Sequence, residues 1–530
     1  MADDKSGEPA ATAATPNHPH EPGMQVLERE VPLSQSVLWR RQRDYYSQRG
    51  LKAWTVDQVP SYITNNALMA DIDVSLVAAF LDDCMHQPQA APISAENPLR
   101  ILEPGAGTGK FAFLFLRKLT ALLRDRKVPP EFVRYVMSDC GESLLKEWES
   151  NESLAEFAQS GALQFQLIGE ELKLKNQPPS STGPVVVIAN YLFDSLPQDA
   201  FYIREGKILE ALVTTSSPRA DAALGELQLA FSERALETPK YQDPSWNKIL
   251  EHYRSRFSSA TVLFPSATLS LLKRETTDGP MLVIAADRGV VHEDEVALLQ
   301  GPPPLDFHSA QCFSQMVNFN AIARCFWDWG GDALLPQRHF SSLSICGFLL
   351  GGGSPFTATK AAYRQCQQQM GPDDVFTLLG WLHPHMQEMN PGQILAMLKL
   401  TAYDSVALQQ IMPVLMRQVR NIHPERNDLR NAVLRCWNHH FPLTAADKSM
   451  AFNCGVILLE LKFFAEAHAM FSRSEKVLGR SAPTSYNLGL CELGLGRRHK
   501  ALTFMADAVE QDPAFEPARQ SLTRLKNESN

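Results

Sequence analysis

An open α/β sheet of mostly parallel strands, followed by an all-α region, is the fold class this sequence predicts. Three observations carry it. Between residues 98 and 190, four short apolar runs alternate with helical patterns, the order of a parallel sheet with crossover helices. A fifth buried run, Met281 to Ala286, comes only after the 90-residue interval 191–280. That is too long for an ordinary connection and predicts an inserted, substrate-facing element. Beyond Gly351-Gly352-Gly353-Ser354-Pro355 the spacing becomes almost wholly helical.

The chain has 530 residues, 44% hydrophobic and 21% charged, enough for several domains with cores of their own. Fifty Lys and Arg against 59 Asp and Glu argue against a bulk electrostatic grip on nucleic acid or anionic lipid. No apolar run reaches 18 residues, so no membrane span is expected. Nine scattered cysteines without a CxxC point to a reducing, cytoplasmic setting. Met1 to Gly23 holds four prolines and five alanines but no aromatic residue, and has neither a signal sequence nor an Arg-rich presequence. Residues 1–32 therefore read as a disordered tail.

The sheet domain is expected over 33–353. Its strands read as Leu99 to Leu102, Phe132 to Met137, Leu163 to Ile168 and Pro184 to Ala189, then Met281 to Ala286 and Ser341 to Leu350. Phe111, Phe115, Leu119 and Leu122 share one helix face, and Glu142 to Phe157 fits another helix. The insertion 191–280 opens with a hairpin turning at Glu205-Gly206. Residues 356–445 read as a helical adaptor and 446–530 as tetratricopeptide (TPR)-like repeats. Asn453-Cys454-Gly455 matches Asn487-Leu488-Gly489, Ala467 matches Ala501 and Phe471 matches Met505, all at a period of 34. Such stacks bind protein segments or serve as packing surfaces.

The most informative stretch is Glu103-Pro104-Gly105-Ala106-Gly107-Thr108-Gly109, between the first strand and a helix. Its glycines permit unusual backbone angles and leave room for a ligand to touch the main chain. A P-loop needs one more residue before its second glycine, and Phe111 stands where its magnesium-holding hydroxyl belongs. A dinucleotide fingerprint needs G-x-G-x-x-G, and Glu103 would repel a pyrophosphate. The same carboxylate suits the ammonium and sulfonium of S-adenosylmethionine; the alternative is a purely structural turn. Asp139, ending the second strand beside Cys140, is placed to accept from ribose hydroxyls or to cap the next helix. After the fourth strand, Asn190 and Asp194 either orient an acceptor nitrogen and take its proton, or satisfy turn amides.

Asn190-x-x-Phe193-Asp194-x-Leu196-Pro197 resembles the N-E-[FL]-F-D-A-L-P signature of MidA-like methyltransferases, the family that includes the mitochondrial complex I assembly arginine methyltransferase. Glu103 with Gly105, Gly107 and Gly109 is similar to that family's E-x-G-P-G-x-G, and Asp139 to its second-strand acid. Ala286-Asp287-Arg288-Gly289 resembles its D-Y-G, Met316 to Phe319 its H-V-D-F, Gly347 to Leu350 its closing F-L-L segment, and Tyr62-Ile63-Thr64 its F-[IV]-T. The resemblance covers roughly 40–353. It implies a Rossmann-like class I fold, S-adenosyl-L-methionine as cofactor, methylation of a protein, and a cofactor cover near Tyr62. Tyr191, Arg288 and Asn318 depart from the family's Glu, Tyr and Asp.

The expected site is therefore Glu103, Gly105, Ala106, Gly107, Thr108, Gly109, Asp139, Cys140 and Asn190 for cofactor, with Asn190 and Asp194 for catalysis. Alternatives are a SAM-binding scaffold or assembly factor acting through the TPR-like repeats, and a small-molecule methyltransferase whose pocket the insertion closes. No metal is expected: His383, His385, His439 and His440 lack ligand spacing. The basic cluster Arg117 to Lys127 has no interleaved aromatics and reads as a solvated helix face, so no nucleic-acid partner is expected.

Overall fold

Val185 to Ile188 are each no more than 1% exposed, which requires a strand covered on both faces. The structure is a computed structural model and describes residues 23–57, 59–86, 92–169, 183–308, 311–340, 342–351, 355–421, 424–444 and 446–527. Residues 1–22 of the expected tail and 352–354 of the glycine run lie outside these.

The chain begins with β1 (Gln25–Pro32), α1 (Val37–Arg49), α2 (Lys52–Thr55) and α3 (Ala67–Met85). It continues through β2 (Leu99–Pro104), α4 (Lys110–Asp125), β3 (Val133–Asp139), α5 (Glu142–Ser150), α6 (Glu152–Gln159), β4 (Leu163–Leu167) and β5 (Val185–Asn190). The insertion contributes β6 (Asp199–Arg204), β7 (Lys207–Ser217), β8 (Gln228–Ala235), α7 (Pro244–Arg256), β9 (Ser259–Phe264) and α8 (Ser266–Glu275). Then come β10 (Met281–Asp287), β11 (Gly289–Val290), α9 (Glu293–Leu298), β12 (Asp306–His308), β13 (Cys312–Ser314), β14 (Val317–Asn318), α10 (Phe319–Asp328), β15 (Asp332–Leu334), β16 (Ser344–Leu350) and α11 (Thr357–Gln368).

Seven strands form one sheet in the order β15-β16-β10-β5-β2-β3-β4. From β10 to β4 all neighbours are parallel; β16 runs antiparallel to β10, and β15 antiparallel to β16. Connections turn one way after β2 and the other way after β5. The carboxyl ends of these two strands thus flank the crevice where open α/β sheets take ligands. The expected helix Glu142 to Phe157 is broken at Asn151, whose side chain caps α6 by accepting from Ser153 N at 2.9 Å.

The insertion builds a second, antiparallel sheet, β1-β7-β6-β9 with β8 on β7. Its hairpin turns at Glu205 (φ 49°) and Gly206 (φ 72°), the left-handed pair a two-residue turn needs. Residues 25–32, expected in the tail, instead form β1 on β7. The pairing is bulged between Val26 and Glu28 and between Glu28 and Val31, as suits a strand at a sheet edge, and disorder-like composition stops at Gly23.

The chain divides into two units, one of 1–64, 75–112 and 119–369, the other of 65–74, 113–118 and 370–530. The division after Gln369 leaves α11 with the sheet unit, where the sequence had placed it beyond the boundary. Asp83 holds the start of α11, accepting from Ala358 N, Thr359 N and the Thr359 hydroxyl at 2.7–3.0 Å. Tyr363 donates to the Ile345 carbonyl at 2.8 Å.

The second unit carries α12 (Pro372–Leu382), α13 (Pro391–Leu400), α14 (Ser405–Gln418), α15 (Arg426–Asn438), α16 (Met450–Glu460), α17 (Phe464–Leu478), α18 (Ala482–Gly494), α19 (Arg498–Gln511) and α20 (Glu516–Asn527). Leu408, Ile411, Leu415, Val433, Ile457 and Leu458 fill its core. A Cβ at Gly455 would meet the Phe471 ring at 2.8 Å, and one at Gly489 would meet Met505 at 2.9 Å. The glycines thus let α16 approach α17, and α18 approach α19, at positions 34 residues apart (489 − 455). His439 in this unit packs: Nδ1 lies 3.0 Å from the Tyr403 carbonyl, and burial lowers its pKa to about 4. Among the described residues no helix is long and apolar enough to cross a membrane, and no group of metal-ligating side chains assembles.

Candidate cofactor and acceptor site

Strand β2 delivers Glu103 to the sheet edge, 4% exposed, where it accepts from the Tyr135 hydroxyl at 2.9 Å. The following turn is drawn onto β3, since Gly105 N and Ala106 N both donate to the Ser138 carbonyl at 2.8 and 3.0 Å. Gly105, Gly107 and Gly109 all have positive φ (74°, 53° and 78°), so the sequence needs glycine there for backbone reasons alone. Thr108 Oγ1 accepts from Lys110 N, opening α4.

Asp139 is engaged within the protein. Its Oδ2 accepts from Gly107 N at 3.0 Å and its Oδ1 from Cys140 N at 2.7 Å. Burial pushes its carboxyl up, against the pull of those amide hydrogen bonds. The Cys140 thiol and the Gly141 amide also hydrogen-bond to this carboxylate, so a ribose hydroxyl donating to Asp139 would share it with the protein's own donors. Cys140 is an inert thiol, pushed up to about 12 by burial and the neighbouring Asp139.

The turn is not bare, contrary to the expectation of an open main chain. A Cβ at Gly107 would lie 3.0 Å from Trp54 Cζ2, and one at Gly105 would lie 3.0 Å from Leu192 Cδ1. Trp148 closes the turn further, donating from Nε1 to the Gly107 carbonyl at 3.0 Å. Trp54 escaped the sequence reading because it sits in a four-residue helix with no periodicity.

Across the crevice, Asn190 ends β5. Among the described residues neither its amide oxygen nor its amide nitrogen has a hydrogen-bond partner, and both atoms are buried. Such a group costs about 1–3 kcal/mol unless something else completes it. Asp194 lies four residues on, in the turn Phe193–Ser195, accepting from the Ser195 hydroxyl at 3.0 Å. Burial pushes its carboxyl up to about 6, with Ser195, Asp287 and Arg288 pulling the other way. Asp287, ending β10, accepts from Asp194 N at 3.2 Å and from Arg288 N at 3.1 Å. Its carboxyl is raised well above the usual range by burial and then by the Asp194 charge. The two acids form one buried pair, and Asp287 was visible in the sequence only as part of the D-Y-G-like segment. Gln315, 1% exposed, donates its backbone amide to the Asp194 carbonyl at 2.9 Å and leaves both amide atoms unpartnered among the described residues. No motif marked it.

The three departures have local explanations. Tyr191 takes φ 49° and donates its hydroxyl to the Ser342 carbonyl at 3.3 Å. Arg288 pairs with Asp306. Asn318 is a buried cap: its Oδ1 accepts from Ala321 N, opening α10, and its Nδ2 donates to the Leu263 carbonyl, both at 2.9 Å.

Residues 77–284 match the family described as "Putative S-adenosyl-L-methionine-dependent methyltransferase". This segment is a methyltransferase domain. Its cofactor is S-adenosyl-L-methionine, in keeping with an acid ahead of a glycine turn at the sheet's switch point. No curated protein matches the chain. Two solved structures from Burkholderia thailandensis are similar to it. One is an uncharacterised ACR superfamily protein, 16% identical, covering 62% of this chain and 90% of its own, with a TM-score of 0.41. The other, of the same superfamily and bound to S-adenosyl-homocysteine, is 17% identical with the same coverages and TM-score. The matched segment holds Glu103, the glycine turn, Asp139, Asn190 and Asp194; Asp287 follows three residues after it, and Gln315 lies farther on.

Proposed function

We propose that the methyltransferase domain methylates a nitrogen on a protein, with arginine the acceptor that the MidA-like resemblance implies. The observation that carries this reading is the buried, uncompensated amide of Asn190 beside the Asp194–Asp287 pair. An amide oxygen can accept from an acceptor N–H and so aim the nitrogen lone pair. A carboxylate beside it can attract a cationic acceptor and take the proton that leaves when the N–C bond forms. The cofactor supplies a methyl on a sulfonium. Glu103, with the main chain of Gly105, Ala106, Gly107, Thr108 and Gly109, would hold its methionine part, and Asp139 with Cys140 would border the ribose.

We assign protein binding to α16–α19, read as TPR-like hairpins on the strength of the Gly455–Phe471 and Gly489–Met505 approaches. Nine cysteines without a disulfide favour a cytoplasmic, reducing setting. A scaffold reading draws on Tyr191, whose hydroxyl is occupied by Ser342 where the family has a glutamate. Incubating cell lysate with the full chain and methyl-labelled S-adenosyl-L-methionine separates the two. An enzyme labels a protein band, and Asp194→Asn loses the label while keeping cofactor affinity. An unlabelled lysate with intact cofactor binding supports the scaffold.

A further inference from the structure

The indole against Gly107 is a feature that the cofactor reading leaves unexplained. The second glycine of such a turn is without a side chain so that a ligand can come against its backbone. Here Trp54 Cζ2 lies 3.0 Å, and Cε2 and Cη2 3.4 Å, from where a Cβ would stand. Carbon atoms in contact need about 3.5–4.0 Å, so no ligand layer fits between ring and turn. The ring therefore occupies the approach to Gly107.

The two rings flanking Gly107 are held very differently. Trp148 is 2% exposed and tied to the Gly107 carbonyl. Trp54 is half-buried, on the four-residue α2, and stacks on Tyr46 at 5.8 Å and 24°. Gly50, at φ 51°, joins α1 to α2, and Asp57 ties the far end back to Tyr45 and Arg49 on α1. A short helix that starts after a glycine and is tied back at its far end through Asp57 can shift as a unit.

Resting on the cofactor assignment above, we propose that Trp54 is a gate: its indole occupies the cofactor's place over Gly107 and withdraws with α2 when S-adenosyl-L-methionine enters. The gate reaches toward the acceptor side as well. Tyr46, on which Trp54 stacks, lies against the Cys312 thiol and within electrostatic reach of Asp194.

Calorimetry with S-adenosyl-homocysteine on the full chain tests the gate. If the closed form holds about nine molecules in ten, Trp54→Ala binds roughly tenfold more tightly than the wild type. Unchanged or weaker binding by the variant, with a wild type that binds, overturns the gate and makes Trp54 part of the cofactor's wall. Absence of binding in both overturns the cofactor assignment and the gate together. Hydrogen exchange on the wild type gives a second reading that needs no variant. Saturating S-adenosyl-homocysteine should speed exchange in residues 51–56 while slowing it in 105–109. Slower exchange in both segments refutes the gate.

Discussion

The backbone amide of Asp194 donates to Asp287 Oδ2 at 3.2 Å, so the end of β10 pins the turn that follows β5. Two strands that are neighbours in the sheet thereby bring two acids into one buried pocket at the switch-point edge. Burial raises both carboxyls; the Asp194 charge raises Asp287 further, while a hydrogen bond with Asp287 pulls Asp194 back down.

This pair makes stability depend on pH in a defined sense. A carboxyl whose pKa is raised on folding binds its proton more tightly in the folded chain. Its contribution is full below the unfolded value of roughly 4 and is lost as pH rises through the folded value, about 6 for Asp194. Asp194→Asn removes this loss. The melting temperature of the variant relative to the wild type should be higher at about pH 7.5 than at about pH 5, read by calorimetric melts at both. An equal offset at the two pH values would contradict the raised carboxyl.

Glu103→Gln keeps an oxygen for the Tyr135 hydroxyl but removes the charge. A hydrogen bond to a charged partner contributes about 1.5–3 kcal/mol. S-adenosyl-homocysteine, which retains the ammonium, should bind roughly ten- to a hundredfold more weakly in titration calorimetry, with the melt of the free protein little changed.

Asn190→Ala distinguishes a functional amide from a structural one. Removing a buried amide that lacks partners relieves a cost of about 1–3 kcal/mol, against a small cavity penalty. The unliganded variant should be at least as stable as the wild type in thermal melts, yet lose methyl incorporation from labelled cofactor. A clearly destabilised variant would mean that the amide is already satisfied.

Gly455→Val places a branched side chain where a Cβ already meets the Phe471 ring at 2.8 Å. Overpacking of this kind costs about 1–3 kcal/mol. The variant should lower the unfolding transition of the helical unit while leaving S-adenosyl-homocysteine affinity intact, measured by scanning and titration calorimetry on the same sample.

Six strands of the seven-stranded sheet were legible as continuous apolar runs, and Val185 to Ile188 can be little else; the three-residue edge strand β15 was too short to show. The hairpin at Glu205-Gly206 was legible because its turn chemistry is local. Residues 25–32 were not, since an edge strand is defined by its partner β7, and nothing in its own composition names that partner. The site divides along the same line. Glu103, Asp139 and Asn190 stand at strand ends and Asp194 in the turn after one, where order along the chain predicts place in space. Trp54 and Gln315 arrive on segments that fold back, and the partnership of Asp287 with Asp194 depends on β10 pairing with β5 across the insertion, which leaves no period or spacing to read. The break at Asn151 escaped because Asn in a helical pattern reads as a tolerated residue until its side chain is seen capping the next turn.

The pairing of β1 with β7 sets an order for assembly. The hydrogen bond from the Thr215 hydroxyl to Glu28 joins residues 187 apart. As the polypeptide emerges during synthesis, the first strand has to wait, unpaired, until the hairpin that receives it has been made. Lys207 to Glu210 bond to β6 and Leu212 to Ser217 bond to β1 along the same side of β7. Half of that side therefore stays open to other chains until the amino-terminal segment returns, and nascent protein is most exposed to sticking there.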